Sequence, residues 1–283
     1  MREWVEFAAF RLVAAGVGAL PLETASALSG QAWRLVAPRL RRHRRALDNL
    51  AFAYPEMSSA ERERIAAAMW ENLGRTFAEF FHIERIIADG RITFEPPLER
   101  FEAIAAAGPC VVCGEHLGNW EILAYAGVRL GMPFAGVYQN LTNPLVDKWL
   151  LKKRAPLYPG GLYGKSTATA RALLRVARDG GYPAFFADQR ASHGIPVPFF
   201  GRPASSLTFP AIIARSVGLP IYVGRVLRLP GVRFTIDFKI VEVPLTADRD
   251  ADIRVATENI QACIEQFVRA SPEQWMWAHR RWD

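Results

Sequence analysis

At 283 residues the chain is long enough to bury a full α/β core, in one large domain or two small ones. Hydrophobic residues make up 51% of it and charged residues 22%, values that exclude disorder as the default state. The net charge of +7 suits an anionic bilayer, a nucleic acid or an acidic soluble substrate, and composition alone does not choose among them.

The amino terminus opens on an apolar stretch from Trp4 to Leu22, broken by Glu6 and Arg11. A spanning helix needs about 20 apolar residues, so this one is marginal as a span; an interfacial helix or shallow anchor fits as well. It lacks the small-residue cleavage site of a secretory signal. Behind it stand Arg39, Arg41, Arg42, Arg44 and Arg45. Basic residues next to a membrane contribute about 1 kcal/mol each against anionic lipid, so the pairing favours a bilayer over nucleic acid. A capping-box spacing, Ser58 to Glu61, predicts the start of a strong helix. Its apolar stripe is read as Ile65, Met69, Leu73, Phe77 and Phe80, core residues without chemistry. Residues 1–90 are therefore expected to form a helical, membrane-associating region.

From about residue 109 apolar runs alternate with helical patterns. Strands are predicted over 109–114, 133–138, 183–187, 219–227 and 233–243. Helices are predicted over 118–130, 143–154, 165–178, 206–217 and 248–270. This order implies an α/β fold with a mostly parallel mixed sheet flanked by helices over residues 91–283, continuous with the helical region as one folded unit. The three cysteines give no disulfide framework and favour a reducing compartment. Cys110 and Cys113 fall in the first strand, where residues three apart point to opposite faces, so they read as core residues and not as a metal pair.

Chemistry is expected where polar residues close buried strands. His116 and Glu121 follow the first strand in Gly114-Glu115-His116-Leu117-Gly118-Asn119-Trp120-Glu121. A tight turn bracketed by glycines could bring the imidazole over the next helical turn, where Glu121 would orient it as a general base. No H-E-x-x-H, no second His or Cys spaced for a metal, no G-x-S-x-G and no phosphate-cradling glycine loop accompanies the pair. A second cluster, Asp188-Gln189-Arg190, closes another buried strand and leads to a loop rich in Pro, Gly and Phe over residues 194–201. That loop could line an acyl groove. Ser205 and Ser206 are expected to cap the following helix, whose amino terminus could hold a phosphate. Lys165, Arg171, Arg190 and Arg202 are candidate anion contacts.

With these residues in place, the sequence resembles the bacterial lipid A late acyltransferases (lauroyl and myristoyl transferases), a branch of the lysophospholipid acyltransferase-like superfamily. The H-x4-D/E signature is matched by His116-Leu117-Gly118-Asn119-Trp120-Glu121. Asn49-Leu50 with Tyr54-Pro55-Glu56, Asp188-Gln189 with Val197-Pro198-Phe199-Phe200-Gly201 and Ala204-Ser205, and Pro272-Glu273-Gln274-Trp275-Met276-Trp277 through Arg281 are similar to its other blocks. The resemblance implies a glycerolipid acyltransferase-like fold and acyl transfer from acyl-acyl carrier protein, with no metal and no cofactor. His116 would be the general base and Glu121 its orienter. Asn119, Lys165, Asp188, Arg190, Arg202 and Ser205 would face substrate. The acceptor would be a hydroxyl of a lipid A precursor in lipopolysaccharide biosynthesis, at the cytoplasmic face of the bacterial inner membrane. A sister enzyme for another lipid, such as a phosphatidylinositol mannoside or a lysophospholipid, would carry the same pair. A catalytically silent membrane-binding protein is the reading from outside enzymes.

Overall fold

The computed structural model describes residues 1–282. Five helices come first: α1 (Arg2–Ala19), α2 (Leu22–Val36), α3 (Arg41–Ala53), α4 (Ser59–Phe80) and α5 (Ile83–Ala88). The alternating region follows with β1 (Ile92–Phe94), α6 (Leu98–Ala106), β2 (Val111–Gly114), α7 (Leu123–Arg129), β3 (Phe134–Tyr138), α8 (Pro144–Arg154) and β4 (Leu162–Gly164). It continues with α9 (Thr167–Arg178), β5 (Tyr182–Phe186), β6 (Ile195–Phe199), β7 (Arg202–Ser206) and α10 (Phe209–Val217), and ends with β8 (Ile221–Leu229), β9 (Arg233–Val241) and α11 (Arg249–Ala270).

Seven strands form one sheet in the order β1-β9-β8-β2-β5-β3-β4. Strands β8, β2, β5, β3 and β4 run parallel, and β9 is antiparallel to β8. The fold expected from the sequence is thus present: a mostly parallel mixed sheet between helices. Alternation along β2 divides its residues between two cores. Val111 and Cys113 pack with α3, α4, α9, α10, α11 and the carboxyl-terminal segment. Cys110 and Val112 pack with α7, Phe101 of α6 and Leu22 of α2. Cys110 and Cys113 are consequently buried on opposite faces.

The helix α4 is capped as its spacing predicts, with the Ser58 hydroxyl accepting from Glu61 N–H and the Glu61 carboxylate accepting from Ser58 N–H. Its buried face, however, is not a purely apolar stripe. Ile65 and Met69 are buried, but farther along Asn72, Thr76 and Glu79 turn inward while Phe77 is exposed. The helix α1 differs from the rest. Only Ala14 is buried, and Trp4, Val5, Leu12 and Val13 face outward. It rests on α8 through Phe10 against Trp149 and through Asn143, which donates to the Glu3 carbonyl and the Glu6 carboxylate. Among the described residues no helix is long and apolar enough to cross a membrane.

Two expectations need correction. The loop read over residues 194–201 holds β6, which pairs antiparallel with β7 (Arg202–Ser206); prolines 196, 198 and 203 obscure the pair, although a two-stranded ribbon leaves edges where proline is tolerated. Ser205 and Ser206 therefore lie in a strand, and α10 begins at Phe209 behind Thr208, which makes no side-chain cap.

Candidate active site

Strands β2 and β5 are neighbours, with Gly114 opposite Phe186. Two residues beyond that register come His116 and Asp188, which therefore emerge side by side at the carboxyl end of the sheet, where α/β folds bind ligands. The His116 Nδ1 lies 2.9 Å from Asp188 Oδ1, and the His116 backbone N–H donates to Oδ2 at 2.8 Å. The indole of Trp275 adds a third contact, donating to Oδ2 at 2.9 Å. Asp188 is fully buried. Burial alone would raise its carboxyl pKa; the charge and hydrogen bonds of His116, with His279 nearby, outweigh that and hold it well below the usual carboxylate range. An ionised acceptor at Nδ1 favours the tautomer with the proton on that nitrogen, which in the neutral ring leaves the lone pair at Nε2.

His116 lines a cavity of about 300 Å³ together with Gln189, whose amide nitrogen lies 3.5 Å from the imidazole Nε2. Val137, Leu173, Phe185, Phe186, Leu207 and Phe209 make its apolar wall, and Lys165, Gln189 and Arg190 its polar one. Phe186 also packs against the imidazole, with ring centroids 4.7 Å apart. The site thus joins an oriented base to a partly apolar cleft with cationic residues.

Glu121 does not make the contact expected of it. The backbone turns left-handed at Gly118, and a short 3-10 turn over Trp120–Ile122 precedes α7. This directs the Glu121 side chain toward α8, where Arg154 Nε donates to it at 2.9 Å and Nη2 donates to its other oxygen. Burial works against the Arg154 charge, and the Glu121 carboxylate overcomes it, raising the guanidinium pKa. The carboxylate that orients His116 comes from Asp188, 72 residues away in sequence.

The remaining candidates divide. Lys165 and Arg190 line the cavity, and Arg171 is exposed on α9 just beyond it. Arg202 instead stacks its guanidinium 4.0 Å from the centre of the Phe52 ring. Ser205 donates to the Ala191 carbonyl at 2.7 Å, bracing the loop that follows Asp188. Asn119 is buried and donates to Glu79. These three are engaged by local partners and do not line the cavity.

Two contributors had no assigned role in the sequence reading. The segment around Trp275 pairs with the His116 loop: Gly118 N–H donates to the Gln274 carbonyl and Met276 N–H to the His116 carbonyl. His279 lies 3.7 Å from Asp188, and burial depresses its pKa to about 4 despite that carboxylate, leaving it neutral near pH 7. His116, Asp188 and His279 are close enough to be weighed as metal ligands, with ligand atoms within 4.8 Å of one another. The two Asp188 oxygens already face three protein N–H groups, so the donor set fits an oriented histidine better than a metal. The tryptophan-rich run around Pro272–Trp277 is the signal that could have pointed to Trp275.

The chain as a whole is similar to known proteins. Residues 1–283 match the family described as bacterial lipid A biosynthesis acyltransferase. The lipid A biosynthesis myristoyltransferase of Escherichia coli (strain K12) is 28% identical over 251 residues, 83% of this chain and 73% of the relative. A lipid A biosynthesis acyltransferase of Haemophilus influenzae is 24% identical over 273 residues, 91% of this chain and 81% of the relative. Lipid A biosynthesis acyltransferase 1 of Shigella flexneri is 28% identical over 83% of this chain and 73% of its own.

Proposed function

The chain belongs to the bacterial lipid A biosynthesis acyltransferase family, and from that premise we propose that it transfers a fatty acyl chain from acyl-acyl carrier protein to a hydroxyl of a lipid A precursor, with His116 as general base. It is an acyltransferase of lipid A, and hence lipopolysaccharide, biosynthesis. The observation that carries the mechanism is the Asp188–His116 contact at the mouth of a partly apolar cavity.

In this reading Nε2 of His116 takes the proton of the acceptor hydroxyl as its oxygen attacks the thioester carbonyl. The carbonyl then re-forms, the C–S bond breaks, and the imidazolium returns its proton to the departing thiolate. Asp188 remains ionised and stabilises the imidazolium, as expected of a carboxylate that gains charge-assisted hydrogen bonds. The reaction needs no cofactor beyond the carrier thioester. Apolar residues of the cleft would receive the acyl chain; Lys165 and Arg190 would face acceptor phosphates. Glu121 acts here by holding Arg154, not by touching the imidazole.

An acidic carrier is supported by α9, whose Arg171, Arg175 and Arg178 share an exposed face beginning beside the cavity. Membrane association rests on the exposed apolar side chains of α1 and the exposed Arg41, Arg42 and Arg44. We place the protein peripherally on the cytoplasmic face of the bacterial inner membrane, with residues 1–90 as the associating region of one continuous unit with residues 91–283.

Purified protein given acyl-acyl carrier protein and a lipid A precursor should form the acylated product, and His116→Ala should lose at least about 10²-fold in turnover. Full turnover in that variant sinks the mechanism. Activity on a mannosylated lipid with none on the lipid A precursor sinks the acceptor assignment. Removal of residues 1–22 should weaken binding to anionic vesicles, and added salt should weaken it further; unchanged partitioning would remove the membrane role.

A further inference from the structure

A second buried carboxylate, Glu79, stands behind the His116 loop and touches nothing in the cavity. It sits in the last turn of α4, fully buried. One oxygen accepts from Ser26 Oγ of α2 at 2.7 Å and from Arg228 Nη1 of β8. The other accepts from Asn119 Nδ2 at 2.9 Å. Each nitrogen of the Arg228 guanidinium is engaged: besides Nη1, Nε donates to Asn72 Oδ1 at 2.7 Å and Nη2 to Thr76 Oγ1 at 3.0 Å. Asn72 and Thr76 in turn both donate to the Gly118 carbonyl at 3.0 Å.

The network therefore ends on two successive residues of the loop, the carbonyl of Gly118 and the side chain of Asn119. Gly118 has φ +59°, and a Cβ there would stand 1.9 Å from the Val226 carbonyl oxygen, so the loop is pressed onto β8 in a conformation that favours glycine. Its backbone lies two residues from His116. A buried ion pair is an inefficient way to stabilise a fold, because apolar residues of equal volume often do as well. What the pair supplies that apolar packing does not is direction: each hydrogen bond fixes one loop atom against a rigid element.

We propose that Glu79, Arg228 and Asn119, with Asn72 and Thr76, are positioning residues that set the path of residues 116–119 and so the aim of His116 at its substrate. This makes α2 and α4 part of the catalytic apparatus, and it rests on reading His116 as the base. Asn119 contributes from behind the loop and not as a substrate contact.

The test combines kinetics with a direct view of the imidazole. Asn119→Ala and Glu79→Gln should lower kcat by about 10- to 100-fold, the scale of a misplacement near 1 Å, with KM for both substrates little changed. In protein labelled with 15N-histidine, the Nδ1–H signal of His116 should broaden or shift. Arg228→Lys should retain more of kcat than Arg228→Met. Should either Glu79 or Arg228 variants fail to fold, Thr76→Val removes one bond to Gly118 and one to Arg228 and is expected to show a smaller loss of the same kind. A lowered melting temperature with kcat and the His116 signal unchanged would reduce the network to packing and overturn the proposal. A raised KM for Asn119→Ala at constant kcat would overturn it as well, by making Asn119 a substrate contact. If the wild type transferred no acyl group, the reaction assignment would fail instead, while the His116 signal would still report whether the network holds the loop.

Discussion

The two flanks of the signature stretch behave differently. On the first, residues 116–119 turn into the molecule: His116 meets Asp188, Gly118 meets α4, and Asn119 meets Glu79. On the second, residues 120–121 turn toward α8, and Glu121 is taken by the part-buried Arg154 of that helix. The two residues that define the spacing therefore answer to different neighbours. The difference teaches that a short motif can mark a site without being its hydrogen-bond network, because a parallel sheet brings adjacent strand ends together whatever their separation in sequence.

The sharpest way to break this comparison is to neutralise each carboxylate at constant shape. Asp188→Asn leaves an amide that can force the wrong imidazole tautomer, so kcat should fall by about 10²- to 10⁴-fold with the fold retained. Glu121→Gln and Arg154→Met should each cost about 10-fold, equivalent to ~1.4 kcal/mol, and the double variant should be no worse than either single one. Steady-state kinetics on the four proteins decides it. If Glu121→Gln fell as far as Asp188→Asn, the glutamate would have to reach the imidazole during turnover, and the distinction between the flanks would collapse.

The same contrast explains what the sequence discloses. Runs such as residues 109–114 and 183–187 state their burial in their composition, so the central strands and the α/β class are legible. The three-residue β1 and β4 are too short to show a period, and the prolines of β6 and β7 mimic a loop. His116 is legible because its motif is local. Its pairing with Asp188 follows only once β2 and β5 are known to be neighbours in register. The α4 network had a local trace that an apolar reading passes over: Asn72, Thr76 and Glu79 at helical spacing on one face, a polar stripe that burial requires to be paired. Arg228, its cation, lies 149 residues from Glu79, on a strand whose alternation gives no hint of a partner.

Two groups beside Asp188 respond to pH in opposite senses, and their effects fall on stability. His279 has its folded pKa depressed by burial to about 4 from 6.5. Between those values the unfolded chain binds a proton that the folded one refuses, so stability rises with pH across about 4 to 6.5 and is lost as pH falls. His279→Gln should flatten that slope, worth about 1–3 kcal/mol at most. Glu115 is the reverse case. It is buried, neither carboxylate oxygen has a hydrogen-bond partner among the described residues, and burial with the nearby Asp188 charge raises its pKa well above 4.5. Above the unfolded pKa the folded state holds a proton that the unfolded chain has released, so this contribution to stability declines as pH rises. Glu115→Gln removes the ionisation and keeps the volume, and should raise the melting temperature by about 2–4 °C at pH 8, corresponding to about 1 kcal/mol, with a smaller gain at pH 5. Melting curves from pH 4.5 to 8 distinguish the two. A Glu115→Gln protein less stable at every pH would mean that the carboxylate is charged and held by a partner, adding an anion beside Asp188.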